Sequence, residues 1–202
     1  STLSSASAAS DVYKRQLQYA RLSLGAKEFV TEIVLPVIRE VGVLVLQEKY
    51  TITQEHIIST ILKEQLSQIT IPSTDGKITE VALATPIGSL HEFSILIADI
   101  LCRTHKVSTK YLGVAHPADC LADAINALKV PILVLGVVSS EHWDYKSKII
   151  PYLKKLDLKI EKDLIVILGG GRSLDFPQFD KIKEVIILKT FEDFDDYLSY
   201  LA

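Results

Sequence analysis

The residues able to do chemistry in this sequence are few and scattered. Five histidines and two cysteines occur among 202 residues, and the histidines show no zinc-ligand spacing. No Ser/His/Asp arrangement stands at a recognisable nucleophile elbow. Placement is more informative than type. In "ATPIGSLHEFSILIADIL" (84–101), His91 follows an apolar run that reads as a strand and precedes an apolar-faced run that reads as a helix. Taken alone, a histidine at such a junction is a helix cap or a packed surface residue. Glycines stand at comparable places farther on: Gly113, then Gly136 with Val137 and Val138, then Gly169, Gly170 and Gly171. A glycine after a strand lets a ligand approach the backbone closely, although a tight turn without a ligand has the same signature.

These residues need elements to hold them. From about residue 77 onward, strand patterns alternate with helix patterns. The strand candidates are 78–85, 108–113, 131–138, 163–169 and 184–188. Helices are predicted over 91–105, 117–128, 145–156 and 191–201, with a short turn near 177–183. Continuous apolar strands separated by helices imply a parallel sheet covered on both faces. Five of them fit the flavodoxin-like order 2-1-3-4-5, in which ligands bind beyond the carboxyl ends of the strands. His91 and the glycines all fall there.

Before "TIPSTDGK" (70–77) the periodicity is helical throughout. Phe29, Ile33, Val37, Val41 and Leu44 recur at spacings of three and four, one face of a helix. Pro36 suits the first turn of a new helix, so the pattern predicts a break there. A further helix starts after Thr51 or Thr53 and turns Ile57, Ile61 and Leu62 to a core. With a helix ending near Leu24, four helices are expected, a small bundle. Residues 1–16, "STLSSASAASDVYKRQ", read as a non-native lead, since "DVYKRQ" resembles the translation of a transposon end. The expected organisation is therefore a lead (1–16), a helical cap (17–70) and an α/β domain (77–202).

Composition narrows the partners. A net charge of −3 with both signs mixed along the chain gives no electrostatic footprint for nucleic acid. The longest apolar run, "VPILVLGVV", is far short of the roughly eighteen residues a membrane span needs. Two cysteines, Cys102 and Cys120, make no disulfide framework, and the expected location is a reducing cytoplasm.

From about Leu17 to its end the chain resembles the cobalamin-binding module of light-sensing MerR-type repressors and of methionine synthase. The residues that carry the resemblance are "GSLHEFS" around His91, "LGVVSSE" (135–141), "LGGG" (168–171) and "QEH" (54–56). The family pattern is Asp-x-His-x-x-Gly, then Ser-x-Leu, then Gly-Gly. Here it reads Ser89-x-His91-x-x-Ser94, then Gly136-x-Val138, then Gly169-Gly170. Only the histidine and the glycine pair match strictly, while spacing and order match throughout.

The resemblance implies a cofactor, adenosylcobalamin, held with its nucleotide tail off cobalt and His91 as the cobalt ligand. Ser89, Leu90, Glu92, Phe93 and Ser94 would surround that ligand. Gly113, Gly136, Val137, Val138 and Gly169–Gly171 would line or approach the tail channel. A metal-bound histidine normally donates its other N–H to a fixed partner; the family uses an aspartate where Ser89 stands, and Glu92 is the alternative. In the cap, Glu55 and His56 would face the upper ligand. The family's shielding tryptophan corresponds to Val45, and a following histidine to Leu46. A valine there leaves room that neighbours or a ligand must fill. In the photocobilins of this architecture a bilin binds beside adenosylcobalamin, so biliverdin is a second expected chromophore.

Three functions follow. The first is a light sensor that is not itself an enzyme, signalling by a conformational or oligomeric change, as a dimer or higher homo-oligomer, to an effector or DNA-binding domain. The second is a corrinoid carrier for methyl transfer between partner proteins. The third is a degenerate module that binds no cobalamin, and the departures at Ser89, Ser94 and Gly136 are its best support.

Overall fold

The computed structural model describes residues 2–71, 80–139 and 143–201. The chain divides into two compact units, Ser1–Ile71 and Pro72–Ala202, and each is described by itself.

The described residues of the N-terminal unit form three helical rods, not the four expected. The first is α1 (Thr2–Ser23). The second joins α2 (Ala26–Glu28), a π-helical turn (Phe29–Val34) and α3 (Leu35–Leu46) without a break. The third is α4 (Ile52–Ser67). Pro36 does not split the second rod because the widened turn precedes it. The Leu35 N–H reaches back five residues to the Val30 carbonyl, which loosens the backbone where the proline ring would otherwise press on the preceding turn. The same turn shifts the buried face. Phe29 and Val30 are followed by Val34 and Leu35 as core residues, a spacing of five. Ile33 and Val37, predicted to share the core face, are only half-buried. Ile57 is exposed, while Ile61, Leu62 and Leu66 are buried. Thr51 caps α4 in a reciprocal box with Gln54, which satisfies two otherwise orphaned N–H groups. Arg21 of α1 ties to α4 through Gln65 and Gln68 at 3.1 and 2.9 Å.

The second unit is a five-stranded, all-parallel sheet in the order β2-β1-β3-β4-β5. Its strands are β1 (Val81–Pro86), β2 (Thr109–His116), β3 (Ile132–Gly136), β4 (Leu164–Gly169) and β5 (Ile182–Leu188). Its helices are α5 (Glu92–Thr104), α6 (Ala118–Leu128), α7 (Tyr145–Asp157) and α8 (Phe191–Leu201). Val81, Ala82, Leu83 and Ala84 are all buried, as a central strand covered on both faces requires. Ile78 and Thr79, included in the first predicted strand, lie outside the described residues.

Two expectations change. The second strand runs on to His116, so Gly113 lies inside it. There the register jumps from Leu83↔Tyr111 to Ala84↔Gly113, a bulge whose left-handed φ of +91° glycine tolerates best. No helical turn forms near 177–183; an irregular segment leads into β5. Leu174, Phe176 and Phe179 pack against the core in place of a helix. The buried Asp157 carboxylate, at the end of α7, accepts the Asp180, Lys181 and Ile182 N–H groups at 2.9, 2.8 and 2.8 Å. Burial acts to raise the Asp157 pKa, but these three donors outweigh it and hold the carboxyl below its ordinary value.

Candidate functional site

The sheet order reverses between β1 and β3, and ligands of open α/β sheets bind at the carboxyl ends of the strands beside such a reversal. His91 flanks one side of that point and Gly136 the other. β1 ends at Pro86 and the chain turns through Ile87–Leu90. His91 is then the N-cap of α5, at the centre of an inverse γ-turn (φ −74°, ψ 62°) closed by the Glu92 N–H on the Leu90 carbonyl at 2.7 Å, with no side-chain capping bond. Its side chain is therefore not used as a cap, and the residue is exposed. Three apolar residues at this end of the sheet are also exposed: Ile87 at 53%, Leu90 at 69% and Val138 at 37%.

The turn is held from beneath by a residue that the sequence reading did not single out. Thr85, fully buried at the end of β1, donates to the Ser89 carbonyl at 2.6 Å and accepts the Ala115 N–H at 2.9 Å. One hydroxyl thus fastens the His91 turn to the end of β2. The only signal in the sequence was a lone threonine closing an apolar run. The rear of α5 is anchored separately. Asp99 receives Thr109 at 2.6 Å and Arg103 at 2.9 Å. His105 meets Asp195 of α8 at 2.7 Å.

Ser89 is fully buried and its hydroxyl has no hydrogen-bond partner. The Glu92 carboxylate accepts the Tyr111 hydroxyl at 2.9 Å; burial, followed by that bond and the nearby carboxylate charge, pushes the Tyr111 phenol far above its ordinary range. Phe93 is half-buried at the start of α5.

The glycines sort by sheet face. A cleft opens between β3, β4, the end of β5, α5 and α8. Ser94, Gly136, Val138, Gly169 and Gly170 line it. So do Lys189 and Thr190, which the sequence reading missed because they precede a helix of ordinary amphipathic pattern. Farther along the same elements come Ala98, Val134, Ile167 and Phe194. Residues two positions back along a strand lie about 6–7 Å deeper. The cleft therefore has a mouth of small and polar groups over an apolar floor. The remaining predicted residues face elsewhere. Val137 is buried on the opposite face with Trp143 and Tyr145. Gly171 packs there too, since a Cβ would come within 3.0 Å of the Tyr145 hydroxyl. Gly113, on β2, does not line the cleft. Ser140 and Glu141, the end of the "LGVVSSE" element, and His142 lie outside the described residues.

In the N-terminal unit, Val45 is half-buried near the end of α3 and Leu46 is exposed. Glu55 bridges its neighbours, accepting Ser59 at 2.6 Å and pairing with His56 Nδ1 at 2.9 Å. His56 keeps Nε2 for another partner. No group of three or more His, Cys, Asp or Glu side chains among the described residues is arranged to hold a metal. Cys102 is buried, its thiol pushed up by burial and then by Asp99, so it offers no reactive thiolate. No described helix is long and apolar enough to cross a membrane.

The second unit is thus a parallel α/β domain with an apolar-floored cleft and an exposed histidine at the carboxyl edge of its sheet. Residues 6–70 match the family model of the B12 binding domain. Among solved structures, the monomethylamine corrinoid protein of Methanosarcina barkeri is similar with a TM-score of 0.63 at 11% identity, over 90% of this chain and 86% of that one. At that identity the likeness establishes a shared fold. A cobalamin-binding protein from Desulfitobacterium hafniense DCB-2 aligns with a TM-score of 0.36 at 17% identity, over 79% of this chain and 77% of that one. No curated protein matches the chain significantly.

Proposed function

We propose that this chain binds a cobalamin, with His91 as the protein's ligand to cobalt and the α5–α8 cleft as the seat of the nucleotide tail. One observation carries the reading: an exposed histidine whose side chain makes no capping bond stands at the same carboxyl edge of the sheet as a cleft of small mouth and apolar floor. A flat corrin would cover the first, and a bicyclic base with its sugar-phosphate would fill the second. The orphaned Ser89 hydroxyl and the open side of Gly169, where a Cβ would meet only the Leu135 carbonyl at 3.7 Å, suit a group that arrives from outside the chain. The match of residues 6–70 to the B12 binding domain supports the same cofactor.

When bound, cobalamin supplies a cobalt centre whose bond to carbon can be broken. The chain's own residues supply the rest. Thr85 and Ser94 hold the backbone of the His91 turn, the floor keeps water from the tail, and Glu55 orients His56 in the helical unit. None of these groups is a catalyst by itself, so the role is that of a sensor or a carrier. The sensor reading, with adenosylcobalamin, output through oligomeric change and biliverdin as a second chromophore, is favoured by the paired Glu55–His56 and by the apolar end of α3 at Val45 and Leu46. The carrier reading is favoured by the whole-chain likeness of fold to a corrinoid protein.

Purified chain mixed with hydroxocobalamin should retain it through gel filtration, and His91→Ala should alter the visible spectrum of what is retained. No retained corrinoid on the wild-type chain would overturn the proposal. With adenosylcobalamin, a change in elution volume after illumination selects the sensor, and an unchanged volume selects the carrier. A retained red-absorbing band after mixing with biliverdin identifies the second chromophore, and its loss on filtration removes that part of the reading.

A further inference from the structure

Two of the departures from the family pattern, Ser94 and Gly136, meet in space. A Cβ built on Gly136 would lie 2.5 Å from Ser94 Oγ, 3.1 Å from Ile95 Cγ2 and 3.4 Å from Thr85 Cγ2. The side-chain space of position 136 is therefore already filled, and the group that fills it is the Ser94 hydroxyl. That hydroxyl is committed on its other side, where it donates to the His91 carbonyl at 2.9 Å. Both residues line the mouth of the cleft.

We propose that Ser94 and Gly136 work as one unit, in which a single hydroxyl, delivered from α5 and not from β3, fills the cleft mouth and ties it to the His91 turn. Ser94 is thereby a positioning residue for the histidine and a shaping residue for the cleft. A side chain at 136 forces the Ser94 hydroxyl away, because heavy atoms cannot settle at 2.5 Å without a hydrogen bond. The displaced hydroxyl gives up the His91 carbonyl, so a change on β3 is felt at the cobalt ligand. The two departures are then one reciprocal exchange that keeps a single small side chain at one place, and they no longer count as evidence of degeneration. The inference rests on the cobalamin reading for its ligand but not for its geometry.

The test is a double-mutant cycle on the full chain: Ser94→Ala, Gly136→Ala and both together, with Ser94→Ala plus Gly136→Ser as a fourth variant. Tm is read without ligand, and hydroxocobalamin affinity is read by absorption. Gly136→Ala alone should weaken binding at least about tenfold and lower Tm, whereas on top of Ser94→Ala it should cost less than about threefold. Returning the hydroxyl from β3 with Gly136→Ser on that same background should regain most of the affinity. Equal effects of Gly136→Ala in both backgrounds, or no effect in either, would overturn the proposal. If Gly136→Ala alone does not fold, rescue of folding by Ser94→Ala supports the pair, and failure to rescue refutes it. Should the wild-type chain take up no corrinoid, the cobalamin reading fails on its own, and the Tm cycle still decides the pair.

Discussion

The two faces of one sheet have been used in opposite ways. On the face covered by α6 and α7, Leu133, Leu135, Val137, Val166 and Leu168 are buried to the strand ends against Trp143, Tyr145, Ile149 and Leu153. On the face covered by α5 and α8, the same strands end in Gly136 and Gly169, and packing gives way to a cleft. Neighbouring residues of β3 therefore serve different purposes, because successive side chains point to opposite faces. The closed face supplies the stability that allows the other face to stay open. A sheet that left both faces unfilled at one edge would forfeit apolar burial there at about 25 cal/mol per Å².

That contrast can be broken at its strongest point. Leu135→Ala on the closed face should cost about 3 kcal/mol in denaturant unfolding, since a fully buried leucine leaves a cavity that only partly collapses. Its effect on corrinoid affinity in the folded fraction should be small. A variant that kept full stability would show that the closed face is not the main support.

Asp157→Asn should cost about 2 kcal/mol at pH 7, because a weaker acceptor replaces the carboxylate that gathers three N–H groups. The pKa shift gives this a pH signature. Asp157 is depressed in the folded chain, so its contribution is complete above about pH 4, the unfolded value, and fades as pH falls through the lower folded value. The stability gap between wild type and variant should narrow in acid; a gap that stays constant down to about pH 2 would refute the charge-based account.

On the open face, Thr85→Val should cost about 1–2 kcal/mol, since it removes a buried donor and acceptor together. The informative readout is the His91 turn: amide hydrogen exchange at residues 87–91 should accelerate relative to the rest of the sheet. Uniform protection would show that the turn holds itself.

The smallest effect lies away from both faces. Lys129 ends α6 in the left-handed region at φ 57°, where glycine carries no Cβ strain. Lys129→Gly should raise stability by a few tenths to about 1 kcal/mol in thermal unfolding, with corrinoid affinity unchanged.

Much of the frame was legible in the sequence because the signals were local and repeated. Five apolar runs between helical patterns specified a parallel sheet, and the glycines marked the ends of β3 and β4. The helical unit was less legible. A π-helical turn changes the period of burial at Phe29–Val34, and no count of threes and fours anticipates it. The short turn expected near 177–183 does not form for a related reason: Leu174, Phe176 and Phe179 cover the core without a helix, and the Asp157 carboxylate at the end of α7 takes up N–H groups of the segment.

For the site, sequence alone determined which residue types were available, namely one histidine at a strand end and glycines after two others. Order along the chain and the alternation of strand residues are enough for that. Only the tertiary structure decided which of them share a face. It set Gly136, Gly169 and Gly170 on the cleft and turned Val137 and Gly171 into core, left the Ser89 hydroxyl buried without a hydrogen-bond partner, and brought the Tyr111 hydroxyl onto Glu92. It also brought Ser94 into the space of Gly136, forty-two positions apart in the chain. Such contacts between distant positions arise when a helix packs across a sheet, and their register is a property of that packing rather than of either segment.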